Sequence, residues 1–203
     1  MNPDVFHISH INNLASIIQS GGLISDAIRI KQKIGNQNIG YSHIKQRRLQ
    51  HLVTVSQRGV IGNYVPFNFC PRSVMLYVVY CGHTDYNGGQ QSILHLVTDV
   101  DRVRAHNPDC FFTDIHADLG YAEQIADFSR IKDLNWDYIN RSNWRDPVIK
   151  ETKQAEFLAF NSVPWAAIKE IGVINQQVAA QVSAMILNHP HQPLVSIKPQ
   201  WYY

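Results

Sequence analysis

Gln154-Ala155-Glu156-Phe157-Leu158-Ala159-Phe160 is the stretch from which the rest of the chain is understood. Short, rich in Phe and Leu, and following a polar segment, it predicts a buried strand over Glu156 to Phe160. Its first residue carries a charge. A carboxylate at the mouth of a strand built for burial must be solvated, paired or used. Pairing with the nearby Lys153, or simple exposure, is the bland alternative. The functional one is that a fixed carboxylate hydrogen-bonds a ribose hydroxyl and favours positive charge on the adjacent anomeric carbon, which is what cleavage of a glycosidic bond requires.

Working outward, the last third of the chain reads clearly. A turn or short helix is expected over Pro164 to Lys169 and a strand over Ile171 to Ile174. An amphipathic helix follows over Gln176 to Leu187, with Val178, Val182, Met185 and Ile186 on its apolar face, and Leu194 to Ile197 forms a closing strand. At the other end, Val5 to Ser9 predicts a strand. Asn12 or Asn13 then caps a helix whose apolar face is Leu14, Ile17 and Ile18, and Gly21-Gly22 stops it. Between lie a buried strand or helix over Ser73 to Cys81, a strand over Ser92 to Val97, a short helix over Asp99 to Ala105 and a brief strand over Cys110 to Thr113. His116 to Phe128 begins as loop and becomes helical. The strands do not alternate regularly with long helices, so the pattern predicts a mixed α+β architecture rather than a doubly wound sheet. No Gly-x-Gly-x-x-Gly and no Walker-type loop occur, so any dinucleotide binds in another manner.

Composition sets the outer bounds. The 203 residues fit a single domain, residues 1–203, and 45% hydrophobic content is enough for a real core. The formal net charge of +2 makes no demand for a polyanionic partner. The charge is unevenly placed, however. Lys31, Lys33, Lys45, Arg47, Arg48 and Arg58 fall in a stretch, 25–58, that is nearly free of acids. Such a stretch lines a polyanion groove or is a solvated face. Three widely spaced cysteines with no Cys-x-x-Cys fit a reducing compartment and neither a disulfide framework nor a zinc site, so no metal is expected. The start shows no secretory pattern, and no apolar run approaches the roughly 20 residues of a membrane span. A cytoplasmic monomer with no membrane contact is the expectation.

Four further groups carry chemistry. His7 and Ser9 share one face of the first strand, where a ring nitrogen and a hydroxyl can hold an amide or a ribose. They are otherwise ordinary surface groups. Arg47 and Arg48 offer planar guanidinium groups to phosphate or to the polar edge of a base, or belong to a solvated helix. In Tyr64-Val65-Pro66-Phe67-Asn68-Phe69-Cys70-Pro71-Arg72-Ser73 the rings of Tyr64, Phe67 and Phe69 stack on a nicotinamide or adenine, or pack around the prolines. Arg72 is placed to bond backbone carbonyls and pin the turn. Phe112-Thr113-Asp114-Ile115-His116-Ala117 brings three polar side chains to a loop mouth. His116 could hold a base or phosphate there, or the segment caps the next helix. A Ser9, His116 and Asp114 triad lacks any nucleophile-elbow pattern.

These segments, in this order, together with Ile44-Lys45-Gln46-Arg47-Arg48 and the closing Trp201-Tyr202-Tyr203, resemble the DarT family of bacterial toxins, which ADP-ribosylate bases of single-stranded DNA using NAD. The resemblance runs from about Phe6 to Tyr203, and Tyr-Val-Pro-Phe-x-Phe-x-Pro-Arg-Ser-x-Met-Leu is its most specific part. It implies an ADP-ribosyltransferase fold: a split, mixed β-sheet core flanked by helices, with NAD in the central cleft. Within a basic substrate-binding insertion around 25–58, the stretch from about Lys45 to Arg58 is expected to fold over that cleft and admit one strand. It implies catalytic roles for Glu156 and Arg47. His7 and Ser9 match a His-x-Thr element on the nicotinamide side of NAD, with serine keeping the hydroxyl. Asn13, Tyr64, Phe67 and Phe69 are the remaining cofactor-side candidates. Arg48, Met75, His116 and Arg145 are the candidates for DNA contact. Asn68 and Cys70 stand where other members commonly show Tyr and Asn. Thymine is the favoured target, with guanine, a protein substrate, or a silent NAD- or strand-binding module as alternatives. The implied partner, besides single-stranded DNA, is a macrodomain antitoxin of the DarG type.

Overall fold

Pro66 shapes the centre of the molecule. In a computed structural model, which describes residues 1–57, 59–83 and 85–203, it lies in the middle of strand β3 (Tyr64–Asn68), between β1 (Asp4–His10) and β7 (Glu156–Phe160). A strand residue turns its N–H and C=O to the same side. Pro66 has no N–H, and its carbonyl bonds the His7 ring, so the side facing β1 cannot zip up. β1 and β3 accordingly meet at one register pair, Phe6 with Asn68, whereas β3 runs five pairs against β7, from Tyr64–Phe160 to Asn68–Glu156. The sheet is split at that seam.

Around the seam the described strands form an eight-membered sheet in the order β10-β9-β4-β1-β3-β7-β5-β6, completed by β4 (Ile93–Asp99), β5 (Cys110–Thr113), β6 (Gln124–Ile125), β9 (Glu170–Val173) and β10 (Leu194–Ile197). The β10–β9 pair is parallel and the other described pairs are antiparallel, so the sheet is mixed. A small second sheet pairs β2 (Gly22–Ile24) with β8 (Ser162–Pro164). Gly22 is required there: at φ +145° a Cβ would lie 2.1 Å from the Val163 carbonyl oxygen.

Helices follow their local signals. α1 (Leu14–Gln19) buries Leu14 and ends in Gly21 at φ +76°. α4 (Val74–Tyr80) takes its cap from the Ser73 hydroxyl, which accepts from the Leu76 N–H at 3.2 Å. That settles the Ser73 to Cys81 segment as helix. α5 (Val100–His106) is capped by Asp99 and α8 (Gln176–Ile186) by Asn175. The remaining helices are α2 (Asp26–Lys31), α3 (Ser42–Arg48), α6 (Trp136–Asn140) and α7 (Pro147–Thr152). Two expectations fail. His10, not Asn12 or Asn13, caps the turn before α1, because the Asn13 side chain is engaged elsewhere. The span His116 to Phe128 forms turns and β6 rather than a helix, and a 3-10 segment begins only at Phe128.

The main core lies on the sheet, with Phe67, Phe112 and Phe157 fully buried. A second cluster gathers Tyr64, Phe111 and Leu158, and a third Leu76, Val79, Ile93 and Tyr202. His95, fully buried on β4, bonds the Pro71 carbonyl through Nε2 at 3.0 Å, and burial lowers its pKa from 6.5 to about 4. Among the described residues no helix is long and apolar enough to cross a membrane.

Candidate active site

The split between β1 and β3 opens into a cavity of about 290 Å³. β1 contributes His7 and Ser9, β3 contributes Pro66 to Asn68, and β7 contributes Glu156 at its first residue. α2, α3 and the loop between them form the opposite wall, through Asp26, Arg29, residues 34–37 and 39–41, Ile44, Lys45 and Arg48. Of the basic residues expected to cover the cleft, Lys45 and Arg48 line this wall, Arg47 does not, Lys31 and Lys33 are exposed, and Arg58 lies outside the described residues.

Glu156 is 5% exposed, and the solvent and Lys153 alternatives do not occur. Arg48 Nη1 donates to Oε1 at 3.0 Å and Arg48 Nη2 to Oε2 at 2.8 Å, a bidentate pair between the buried Glu156 and an Arg48 side chain only 12% exposed. The Ala117 N–H donates to Oε1 at 3.2 Å. The Glu156 N–H donates to Thr113 Oγ1 at 3.3 Å, which fixes the backbone from the β5 side. Burial opposes ionisation of this carboxyl, but Arg48, His116 and the Ala117 N–H together outweigh it and hold the pKa below the usual carboxylate range. Burial likewise opposes the charge on Arg48, and Glu156 more than restores it. A carboxylate has about four acceptor positions. Three are filled, and one on Oε2 remains for a substrate hydroxyl.

The histidines have defined tautomers. His7 Nδ1 lies 2.8 Å from the Pro66 carbonyl oxygen, which can only accept, so Nδ1 carries the proton and Nε2 presents a lone pair. Burial lowers the His7 pKa and keeps the ring neutral. His116 Nδ1 accepts from the Asp118 N–H at 3.3 Å, which leaves the proton on Nε2, 3.5 Å from Glu156 Oε1. Burial lowers its pKa against the pull of Glu156. On the opposite wall Asp26 pairs with Arg29 at 3.0 Å and Lys45 at 3.5 Å, so two cations share one acid.

The structure thus brings His7, Ser9, Asn13, Arg48, Phe67, Met75, His116 and Glu156 to one cavity. Asn13 lines it but is spent on architecture. Its Nδ2 donates to Ser9 Oγ and to the Gln37 carbonyl, each at 3.1 Å, and its Oδ1 accepts from the Gln37 N–H at 2.7 Å, pinning the wall loop to α1. Arg47 does not reach Glu156. It points to Asp118 with a side chain 60% exposed, since neighbours on a helix face directions about 100° apart. Tyr64 and Phe69 are packed in the core instead of the cleft, Tyr64 edge-on to Phe111 and Phe69 edge-on to Trp136. Arg145 is exposed outside the cavity, and Asp114 accepts from the Glu123 N–H, so no triad forms. The guanidinium of Arg72 lies 4.3 Å over the Tyr203 ring instead of bonding carbonyls. Thr113 and the Ala117 N–H support Glu156 from the Phe112–Ala117 segment, a role that no local pattern in that segment signals.

A model of the ssDNA thymidine ADP-ribosyltransferase family, DarT, matches residues 6–203. The chain belongs to the DarT family. A DNA ADP-ribosyl transferase of Thermus aquaticus is 41% identical over 201 residues, covering 98% of this chain and 88% of that protein. Thermus sp. 2.9 DarT in complex with ADP-ribosylated single-stranded DNA superposes with a TM-score of 0.92 at 40% identity, covering 98% and 96% of the two chains. The same Thermus DarT in complex with NAD+ gives 0.89 at 38%, covering 98% and 97%. The expected mixed α+β fold of DarT is therefore the fold found, split sheet included.

Proposed function

We propose that this DarT-family chain transfers ADP-ribose from NAD+ to a thymine base of single-stranded DNA. The observation that carries the proposal is Glu156, an ionised carboxylate at the seam of the split sheet, gripped by Arg48 with one acceptor position left open. That position receives the 2′-hydroxyl of the nicotinamide ribose. As the bond from C1′ to the nicotinamide nitrogen breaks, the fixed negative charge stabilises the oxocarbenium-like state, and no reorganisation is needed at that moment. The nicotinamide leaves with the electron pair of that bond. His7 Nε2 and the Ser9 hydroxyl hold its amide side, while the Phe67 ring stays packed in the core behind them. The cations Arg29 and Lys45 face the pyrophosphate.

Arg48, rather than Arg47, takes the role of catalytic arginine. It keeps Glu156 oriented and charged, and its positive field favours the deprotonated ring nitrogen of thymine, which forms the new bond to C1′ as its proton passes to solvent. Met75 and His116 border the entry of the target base. Base-paired DNA hides that ring nitrogen, so a single strand is the substrate. The chain acts as the toxin of a toxin–antitoxin pair in the cytoplasm, as a monomer, opposed by a macrodomain partner of the DarG type that removes the mark.

Oligonucleotides each lacking one of the four bases, incubated with protein and NAD+ and then weighed, test the proposal. Mass gain is expected on every single strand that contains thymine and on none without it. Gain that follows guanine instead overturns the base assignment, and gain on protein alone overturns the DNA substrate.

A further inference from the structure

A second cavity, of about 170 Å³, lies on the far side of the segment leading into β7. Consecutive residues divide the two: Gln154 lines the active cleft and Lys153 lines this one. Arg72, Arg141 and Lys153 surround it, and no aspartate or glutamate does among the described residues. Lys153 is only 2% exposed, donating to the Ile139 carbonyl at 2.7 Å and the Cys70 sulfur at 3.4 Å, with no carboxylate among these partners. The Nε of Arg72 is buried with no hydrogen-bond partner. A buried donor left unpaired beside three cationic side chains that have no carboxylate among the cavity's residues favours the arrival of an anion.

At the rim stands an aromatic cluster. Tyr77 meets Trp144 at 4.9 Å and Tyr203 at 5.0 Å, and Tyr80 stacks on Tyr203 at 6.2 Å and 27°. Tyr77 is 37% exposed and Tyr80 51%, a large apolar surface for a polar neighbourhood. Tyr77 and Tyr80 lie on α4, whose Met75 and Val78 line the active cleft. The two sites are therefore separated by about one helix width, ~10 Å, a span of a few nucleotides.

We infer that this cavity and its aromatic rim form a second nucleotide subsite, which takes a backbone phosphate of the DNA strand in the cationic cavity and stacks a flanking base on Tyr80 and Trp144. The inference rests on the single-stranded substrate proposed above. Stacking is indifferent to base identity and guanidinium groups favour phosphate, so the subsite lengthens the strand footprint without adding sequence preference. It leaves NAD cleavage untouched.

Fluorescence anisotropy with labelled thymine-containing oligonucleotides, a trinucleotide and a decamer, tests this. Y80A/W144A is expected to bind the decamer roughly 5- to 150-fold more weakly, as loss of one stacked base implies. It should bind the trinucleotide within twofold of wild type and release nicotinamide from NAD+ at the wild-type rate without DNA, which also shows that it folds. W144F, which keeps a ring face, should retain most of the affinity. R141Q should lower the salt dependence of decamer binding by about one phosphate contact. Equal decamer affinity for wild type and Y80A/W144A, or equal loss on both oligonucleotides, overturns the subsite. If the wild type modifies DNA and Y80A/W144A binds the decamer equally well, the subsite alone fails; if the wild type neither binds nor modifies any single strand, the proposed substrate fails with it.

Discussion

Replacing Arg48 by glutamine removes the guanidinium that fills two of the three occupied acceptor positions on Glu156. What remains is a buried carboxylate bonded by the Ala117 N–H alone, with the His116 Nε2 3.5 Å away. Breaking one partner of a buried ion pair costs about 3–5 kcal/mol, because the other charge is left uncompensated. The pH dependence identifies the cause. In the wild type the folded-state pKa of Glu156 is depressed, so its contribution to stability is present above the unfolded carboxylate range and is lost as pH falls through the folded value. In Arg48→Gln, burial is no longer outweighed and the folded pKa rises above the unfolded one. The protonated form is then favoured, and stability is lost as pH increases through the raised value. The stability gap between the two proteins should therefore be small near pH 4 and widen to about 3–5 kcal/mol by pH 7. Urea unfolding at unit pH intervals measures it. Adding Glu156→Gln to Arg48→Gln should recover most of the loss at pH 7, since no charge is left stranded. A gap that is constant across pH, or below about 1 kcal/mol at pH 7 as for an exposed pair, would refute the argument.

Three other predictions follow from neighbouring features. The buried His95, with its pKa lowered from 6.5 to about 4, contributes stability above pH 6.5 that is lost as pH falls toward 4; the difference corresponds to about 3 kcal/mol and should disappear from the pH–stability profile in His95→Gln. Asn13→Ala frees the wall loop from its bonds to Gln37 and should raise the KM for NAD+ by about tenfold with kcat little changed, as expected for the loss of one to two net hydrogen bonds. Gly22→Ala drives a Cβ into the Val163 carbonyl and the Trp165 N–H and should cost at least about 2 kcal/mol in thermal or urea unfolding, with no change expected if β2 and β8 are not paired.

How far the sequence could be followed depended on whether a residue's role is set locally. The strand Glu156–Phe160 and the edge strand Leu194–Ile197 were legible to the residue, and α8 to within one, because apolar patterning and the Asn175 cap are local signals. The choice between Arg47 and Arg48 was not. Both lie in the last turn of a polar helix with no buried residue, so nothing in its pattern marks the inward face. Tyr64 and Phe69 were assigned to the ligand because aromatics suit both a cleft and a core; only the positions of Phe111 and Trp136, far along the chain, decide against it. Asn13 was legible as polar and near the site, but its true partner, the Gln37 backbone, comes from a loop without periodicity. Ser73, by contrast, was a visible cap signal that could have settled α4 as helix from the start.

The central claim is that Glu156, held and charged by Arg48, drives the loss of nicotinamide. It is tested most directly by single-turnover nicotinamide release with a saturating thymine oligonucleotide, comparing wild type, Glu156→Gln, Arg48→Gln and Arg47→Gln. Glu156→Gln and Arg48→Gln should each lose about 10²–10³-fold in rate, the scale set by removing one preorganised electrostatic contact from a transition state, while Arg47→Gln stays within about tenfold of wild type. An undiminished rate in Glu156→Gln, or a larger loss in Arg47→Gln than in Arg48→Gln, would contradict it.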